Sequence, residues 1–345
     1  MATTPSVSST TPCVVRASAL IATVCQVTHN LFKSLGPPNH HKRKTFALDL
    51  CALLDFSNQT TPHDVACLRP AVMIDYAPGM TSGGACLILN HLSGVLCEPD
   101  WFGLNHLEVF EVHGVVLVAN VFRLCEVLSS FHFNEDDEKA RAPRFIDVLP
   151  NSVTPLSEEK VWHAMAHLSR EIKAGLNHVN EITKSRDYGK CPRAPFDLVA
   201  ALGVGAEFVP PPTLVGVCLG YPRVYAWFHV DDAIGEAQRA LSTTDLELFE
   251  VYATCDATAD ANATSNADNQ SAKQVATKHR VCGFTTPRRS EFGELSKTQT
   301  DESLTRPDDI QTWFHAMQKN AVRWGQVWRD LTLVATRRDA GPVAL

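Results

Sequence analysis

The chain has 345 residues and a mass of 37.9 kDa, with 45% apolar and 20% charged residues, a formal net charge of −7 and a pI near 6.0. At roughly 150 residues per domain, this allows one large domain or two ordinary ones. The apolar content is enough to bury a core, which excludes wholesale disorder. No run of about 18 uninterrupted apolar residues occurs, so no membrane-spanning helix is expected. The acidic balance excludes a protein that binds polyphosphate with its whole surface.

Residues 1–12 are rich in Ser, Thr and Pro and read as a disordered leader. From Cys13 to Leu35 the pattern is helical. Val15, Leu20, Ile21, Val24, Val27 and Leu31 share one broad stripe, and Gly36-Pro37-Pro38 stops it. The polar run Asn39–Lys44 reads as an exposed loop, followed by a second helix with Phe46, Leu48, Leu50, Leu53 and Leu54 apolar. Residues 71–77 read as a short buried strand between Pro70 and Pro78-Gly79. The loop PGMTSGG and a helical pattern from Ala85 complete a β-loop-α unit.

Leu107–Val112 and Val115–Val118 read as strands or a hairpin, broken at His113-Gly114. Phe122–Phe131 is helical in pattern, and Phe145–Leu149 is a strand stopped by Pro150. The clearest helix spans 156–183, where Val161, Met165, Leu168, Ile172, Leu176 and Val179 step by three or four. Phe196–Leu202 reads as another helix. Residues 214–219 lead into the turn Gly220-Tyr221-Pro222, and Val224–Val230 and Leu246–Ala253 read as strands. Polar stretches at 255–279 and 287–305 read as flexible insertions around a strand at Val281–Thr285. The last helix begins near Thr305 or Arg306. Its stripe is Ile310, Trp313, Phe314, Met317, Ala321, Trp324 and Trp328, and Leu331–Ala335 closes as a strand. The alternation predicts an α/β fold, a single layered domain over 13–345 with a mixed sheet flanked by helices.

The 11 cysteines form no C-x-x-C pair, and their apolar surroundings read as small buried hydrophobes in a reducing compartment. A cytoplasmic address is expected, with a nuclear or mitochondrial one as rivals. The N-terminal stretch holds no acid before Asp49, as in a presequence. However, only Arg16 and Lys33 precede the basic cluster at Lys42. The sequons at Asn58, Asn262 and Asn269 are expected to be chance matches.

Acids and glycines at strand exits are the main site signal. Asp75 ends a buried strand before a glycine-rich turn, where ligands bind in open α/β sheets. Gly79, Gly83 and Gly84 would let backbone N–H groups approach an anion. Asp147 lies inside FIDVL, where an unpaired acid is costly. If the two strands are neighbours, Asp75 and Asp147 could face one cleft and hold Mg²⁺ or divide acid and base roles. Tyr221, Tyr225, His229, Asp231 and Asp232 follow the Gly-Tyr-Pro turn, and Asp231 could orient His229. The candidate pocket is therefore Asp75, Gly79, Gly83, Asp147, Tyr221, His229 and Asp231. The plainer reading of each is a capped turn, a paired acid or a half-buried aromatic strand. Cys218 reads as buried. His163 and His167 read as a solvated face, His40–Lys44 as a loop in preference to a phosphate patch, and the tryptophan stripe as core.

Five segments, RPAVMIDYAPG, FIDV, LGYPRVYAWFHV, the Trp-rich last helix and the terminal PVAL, resemble one family. It is the uncharacterised protein family typified by the human chromosome 1 open reading frame 74 protein. The resemblance runs from about residue 14 to the end and skips 255–279 and parts of 80–104 and 287–305. It implies a soluble, non-secreted, single-domain protein whose first helix is core, and it transfers no activity, cofactor or catalytic residue. The leading expectation is a non-catalytic binding or scaffold protein with an unidentified protein partner. Its rival is a small-molecule or nucleotide-binding protein, up to a metal-assisted hydrolase, with its pocket at the carboxyl ends of the strands. Nucleic-acid binding ranks last and no membrane is expected. No cofactor is legible.

Overall fold

The structure is a computed structural model. It describes residues 12–31, 40–54, 67–74, 81–95, 104, 106–112, 114–129, 144–149, 152–155, 194–197, 211–226, 241–242, 244–255, 277–287, 308–323 and 327–338. The fold is α/β.

Helices α1 (Pro12–Leu31) and α2 (His40–Leu53) pack together. α1 buries Ala17, Leu20, Val24 and Val27 along its expected stripe, while α2 buries every residue from Phe46 to its end. A helix apolar on all sides belongs in the interior. This corrects the reading of His40–Lys44 as a loop, because these residues form the first turns of α2. Placing cations at the positive end of a helix opposes its dipole by about 0.3–1 kcal/mol each. Lys and Arg nevertheless propagate helix well, and the burial of Phe46–Leu54 outweighs the penalty.

The first sheet runs β1-β3-β2-β6, with β1 (Ala71–Met73), β2 (Leu107–Val112), β3 (Val115–Asn120) and β6 (Phe196–Asp197). β2 and β3 form the expected hairpin, with Val112 opposite Val115, and Gly114 supplies the positive φ of its turn. Leu107 and Val109 face one core and Phe110 and Val112 a second, so the hairpin is buried on both faces. Asn120 ends β3 and caps α4 (Val121–Ser129). Its Oδ1 accepts from the Arg123 N–H at 3.2 Å, and its Nδ2 donates to the Leu53 carbonyl at 2.9 Å. Phe196 and Asp197, expected in a helix, instead pair parallel with Phe110 and Glu111. The Phe196 ring meets Phe110 edge to face at 5.6 Å, a tertiary contact that overrides local propensity.

A second sheet, β5-β4-β7, joins β4 (Arg144–Leu149), β5 (Ser152–Pro155) and β7 (Arg223–Ala226). β4 lies parallel to β7 and antiparallel to β5. The third, β10-β8-β9, is antiparallel and holds β8 (Leu246–Cys255), β9 (Thr277–Pro287) and β10 (Trp328–Arg338). α3 (Ser82–Val95) packs on the first sheet, and α6 (Asp308–Arg323) packs on β10. α5 (Pro211–Cys218) leads into β7. In place of the one mixed sheet expected, the described residues form three, two of them mixed and the third antiparallel. Trp328, expected on the last helix, begins β10 opposite Cys255. The helix ends before it, and a register shift between Arg329 and Thr332, with Asp330 at φ 52°, starts the strand. The helix expected at 156–183, with His163 and His167, lies outside the described residues, as do Trp324 and the three sequons.

Candidate functional site

The turn Leu219-Gly220-Tyr221-Pro222 is where most of the fold meets. α5 buries Leu214, Val215, Val217 and Cys218, and Gly216 lets the helix close on the strand it feeds. A Cβ there would stand 3.1 Å from Val224 Cγ1. The helix ends with the Gly220 N–H donating to the Val217 carbonyl at 2.9 Å and the Tyr221 N–H to the Gly216 carbonyl at 3.2 Å. This is a Schellman stop, with Gly220 at φ +68° and Pro222 just beyond it. The glycine is needed twice over, since its Cβ would also lie 2.8 Å from Pro70 Cγ.

Tyr221 packs against both cores. Its ring lies 5.4 Å from Phe284 of β9. Phe284 stacks on Phe249 at 5.6 Å and takes the edge of Trp313 at 5.4 Å. The Trp313 indole donates to the Gly220 carbonyl at 2.8 Å. Arg223, just past the turn, holds Asp309 of α6 through two bonds of 2.9 and 3.1 Å. Segments 69–70, 219–223, 284 and 309–313 are distant in sequence and converge here.

Arg69 completes the junction. Its N–H donates to the Ala52 carbonyl at the end of α2, and its guanidinium Nη1 donates to the Val281 carbonyl at 2.6 Å. The β8–β9 register shifts here, from Val251 opposite Cys282 to Tyr252 opposite Arg280. Val281 is therefore the extra residue of a bulge, with a carbonyl the ladder leaves over. Burial pushes the Tyr221 phenol up, and the charge and hydrogen bond of Arg69 pull it the other way. Burial likewise pushes the Cys282 thiol up to about 11, against the same guanidinium.

A second buried polar contact lies between α2 and β9. His279 Nε2 and Asp49 Oδ1 are 3.0 Å apart, and each side chain is only 8% exposed. The Trp328 ring lies 6.0 Å from the imidazole, and the Trp328 indole N–H is buried with no acceptor. Cys51 is pushed well above the ordinary thiol range, first by burial and then by Cys255, Cys25 and Asp49. Among the described residues, no group of three His, Cys, Asp or Glu side chains could hold a metal ion.

Of the seven pocket residues expected from sequence, Gly83, Asp147 and Tyr221 are described. Asp75, Gly79, His229 and Asp231 lie outside the described residues. Gly83 sits in the first turn of α3, which Thr81 caps by accepting from the Gly84 N–H at 3.1 Å. Ser82 donates to Glu111 at 2.8 Å, so a carboxylate of the protein already stands at that helix end. Asp147 lies in the central strand of its sheet, opposite Thr154 and Ala226. β1 and β4 belong to different sheets and are not paired neighbours. Tyr221 precedes β7 and Ala226 ends it, so the Tyr221 backbone and the Asp147 register lie roughly 15 Å apart along the strand.

Arg69, Trp313 and the Asp49–His279 pair were not singled out for chemistry in the sequence. Arg69 opens the RPAVMIDYAPG segment, just before the Pro70 that bounds the expected strand, and 230 residues separate Asp49 from His279. An acid inside the apolar stretch FALDLCALL was the available signal for Asp49.

The fold and this junction define an α/β protein in which an aromatic and guanidinium cluster joins two cores. The chain belongs to the family described as Domain of unknown function (DUF4504), which matches residues 63–266, more than half of its length. No curated protein and no solved structure matches it. Arg69 and Tyr221 fall inside the matched stretch, whereas Asp49, His279, Phe284, Asp309 and Trp313 fall outside it. No helix among the described residues is long and apolar enough to cross a membrane.

Proposed function

We propose that this is a non-catalytic binding or scaffold protein, one domain over residues 13–345. We place it with the group typified by the human chromosome 1 open reading frame 74 protein and in the cytoplasm. Its partner is a protein or a small molecule. The observation that supports this reading is the use made of buried and part-buried ionisable groups. Asp49 with His279, Arg69 with the Val281 carbonyl and Arg223 with Asp309 each join elements far apart in the chain. Such contacts specify a shape. The buried thiols Cys51, Cys218 and Cys282 are all raised by burial, which suppresses the nucleophilic thiolate.

The rival metal-assisted hydrolase requires Asp75 and Asp147 to share a hollow, and the separation of β1 from β4 weighs against it. A turnover panel of p-nitrophenyl esters and phosphates, with and without Mg²⁺, tests the reading. The expected result is no rate above buffer. A rate that Asp49→Ala, His279→Ala or Asp147→Asn abolishes in folded protein would overturn it.

A further inference from the structure

Arg69 differs from the part-buried Arg223 and from the buried His279. Arg223 has the Asp309 carboxylate and His279 has that of Asp49, but no carboxylate lies within ion-pair distance of Arg69 among the described residues. The side chain is only 7% exposed. A main-chain carbonyl satisfies one N–H but does not neutralise the charge, and a buried charge without a counter-ion is expensive to keep. The Tyr221 phenol oxygen accepts a hydrogen bond from the Arg69 side chain, which leaves its own O–H as a donor beside the guanidinium. Arg280 adds positive charge toward the same phenol from β9, its side chain 64% exposed and held by Glu250 at 3.1 Å. Two acids of neighbouring elements, Asp49 and Glu250, are bonded to His279 and Arg280.

The donors are also held in place. The Arg69 backbone is tied to Ala52, Pro70 abuts Gly220, and the Schellman stop fixes Tyr221. As a whole residue Tyr221 is half-buried, more exposed than Arg69. A guanidinium fork with a neighbouring hydroxyl matches the geometry of a small oxyanion.

We infer that Arg69 and Tyr221 bind an oxyanion group, the carboxylate or phosphate of a small molecule, at the junction of α2, α5 and β9. The inference rests on the binding reading above and gives it a ligand class. The site is local and is compatible with the chain's net negative charge.

The test is a titration of the full-length protein with inorganic phosphate, sulfate or acetate, with chloride adjusted to constant ionic strength. It is read by thermal unfolding and by the ¹⁵N–¹H signal of the Arg69 side chain. The expected result is saturable binding of at least one anion, with Tm rising by about 2 °C at ten times its Kd. Tyr221→Phe keeps the ring and should weaken binding about threefold. Arg69→Lys keeps the charge, loses the fork and should weaken it about tenfold. If Arg69→Lys does not fold, Tyr221→Phe and Arg280→Gln carry the comparison. Response to phosphate and sulfate alone assigns a phosphoryl ligand, and response to acetate alone a carboxylate. No saturable response, or one unchanged in the variants (an adventitious ion only), overturns the inference. Neither outcome bears on the turnover panel, so the two readings fail separately.

Discussion

Removing either partner of the Asp49–His279 contact should damage the fold far more than its single hydrogen bond implies. Asp49→Ala leaves a buried imidazole beside Trp328 with no partner for Nε2, and His279→Ala leaves a carboxylate in the same interior. A hydrogen bond to a charged group contributes about 1.5–3 kcal/mol, and breaking a buried pair from one side costs about 3–5 kcal/mol. Each single variant should therefore lose about 3 kcal/mol, a large share of a typical stability of about 5–15 kcal/mol. The double variant removes both groups together, so its loss should fall short of the summed singles by about 2 kcal/mol. Urea unfolding at fixed pH, followed by tryptophan fluorescence and circular dichroism, measures all four corners of the cycle. Single losses below about 1 kcal/mol, or strict additivity, would refute the view that this pair ties α2 to the third sheet.

Gly220→Ala should lower stability by about 2–4 kcal/mol, since it meets both a left-handed φ and a 2.8 Å approach to Pro70, and its urea midpoint reads the loss. Asn120→Ala removes a helix cap and strands the Leu53 carbonyl, so thermal unfolding should show a loss of about 2–3 kcal/mol. Burial lowers His106 from 6.5 to about 4 in the folded chain, so the unfolded chain takes up the proton first. Its share of stability is whole above pH 6.5 and is lost as pH falls toward 4. It amounts to about 2 kcal/mol after allowing for the water the ring still meets. His106→Leu should flatten the stability profile over that window, and an unchanged slope would disprove the assignment.

The legible parts of the fold were those whose burial follows a local period. The α1 stripe gave a helix that the structure contains, and the short apolar runs on either side of His113-Gly114, though buried on both faces, gave the hairpin through its turn signal. The Leu214–Leu219 run has no period because it is buried throughout, so its helix could not be told from a strand. Two-residue β6 exists because Phe110 is there to receive Phe196. At the site, Gly-Tyr-Pro marked a turn and so drew attention to Tyr221. What surrounds Tyr221 is tertiary. Arg69 is held by a bulge carbonyl, and a bulge leaves no mark in composition. Asp49 and His279 are brought together only by the folded topology.

In the reading proposed above, one cooperative body, with its two cores joined through Tyr221, carries the binding junction. Pulse alkylation across a urea series tests it. Cys218 reports the core around α5, and Cys51 and Cys255 report the core that includes residues beyond the family match. Burial pushes Cys218 up to about 12, so it should resist alkylation until the fold opens. All three thiols should become reactive at one urea midpoint, coincident with tryptophan fluorescence. Midpoints separated by more than about 0.5 M would show two independently unfolding parts and contradict it.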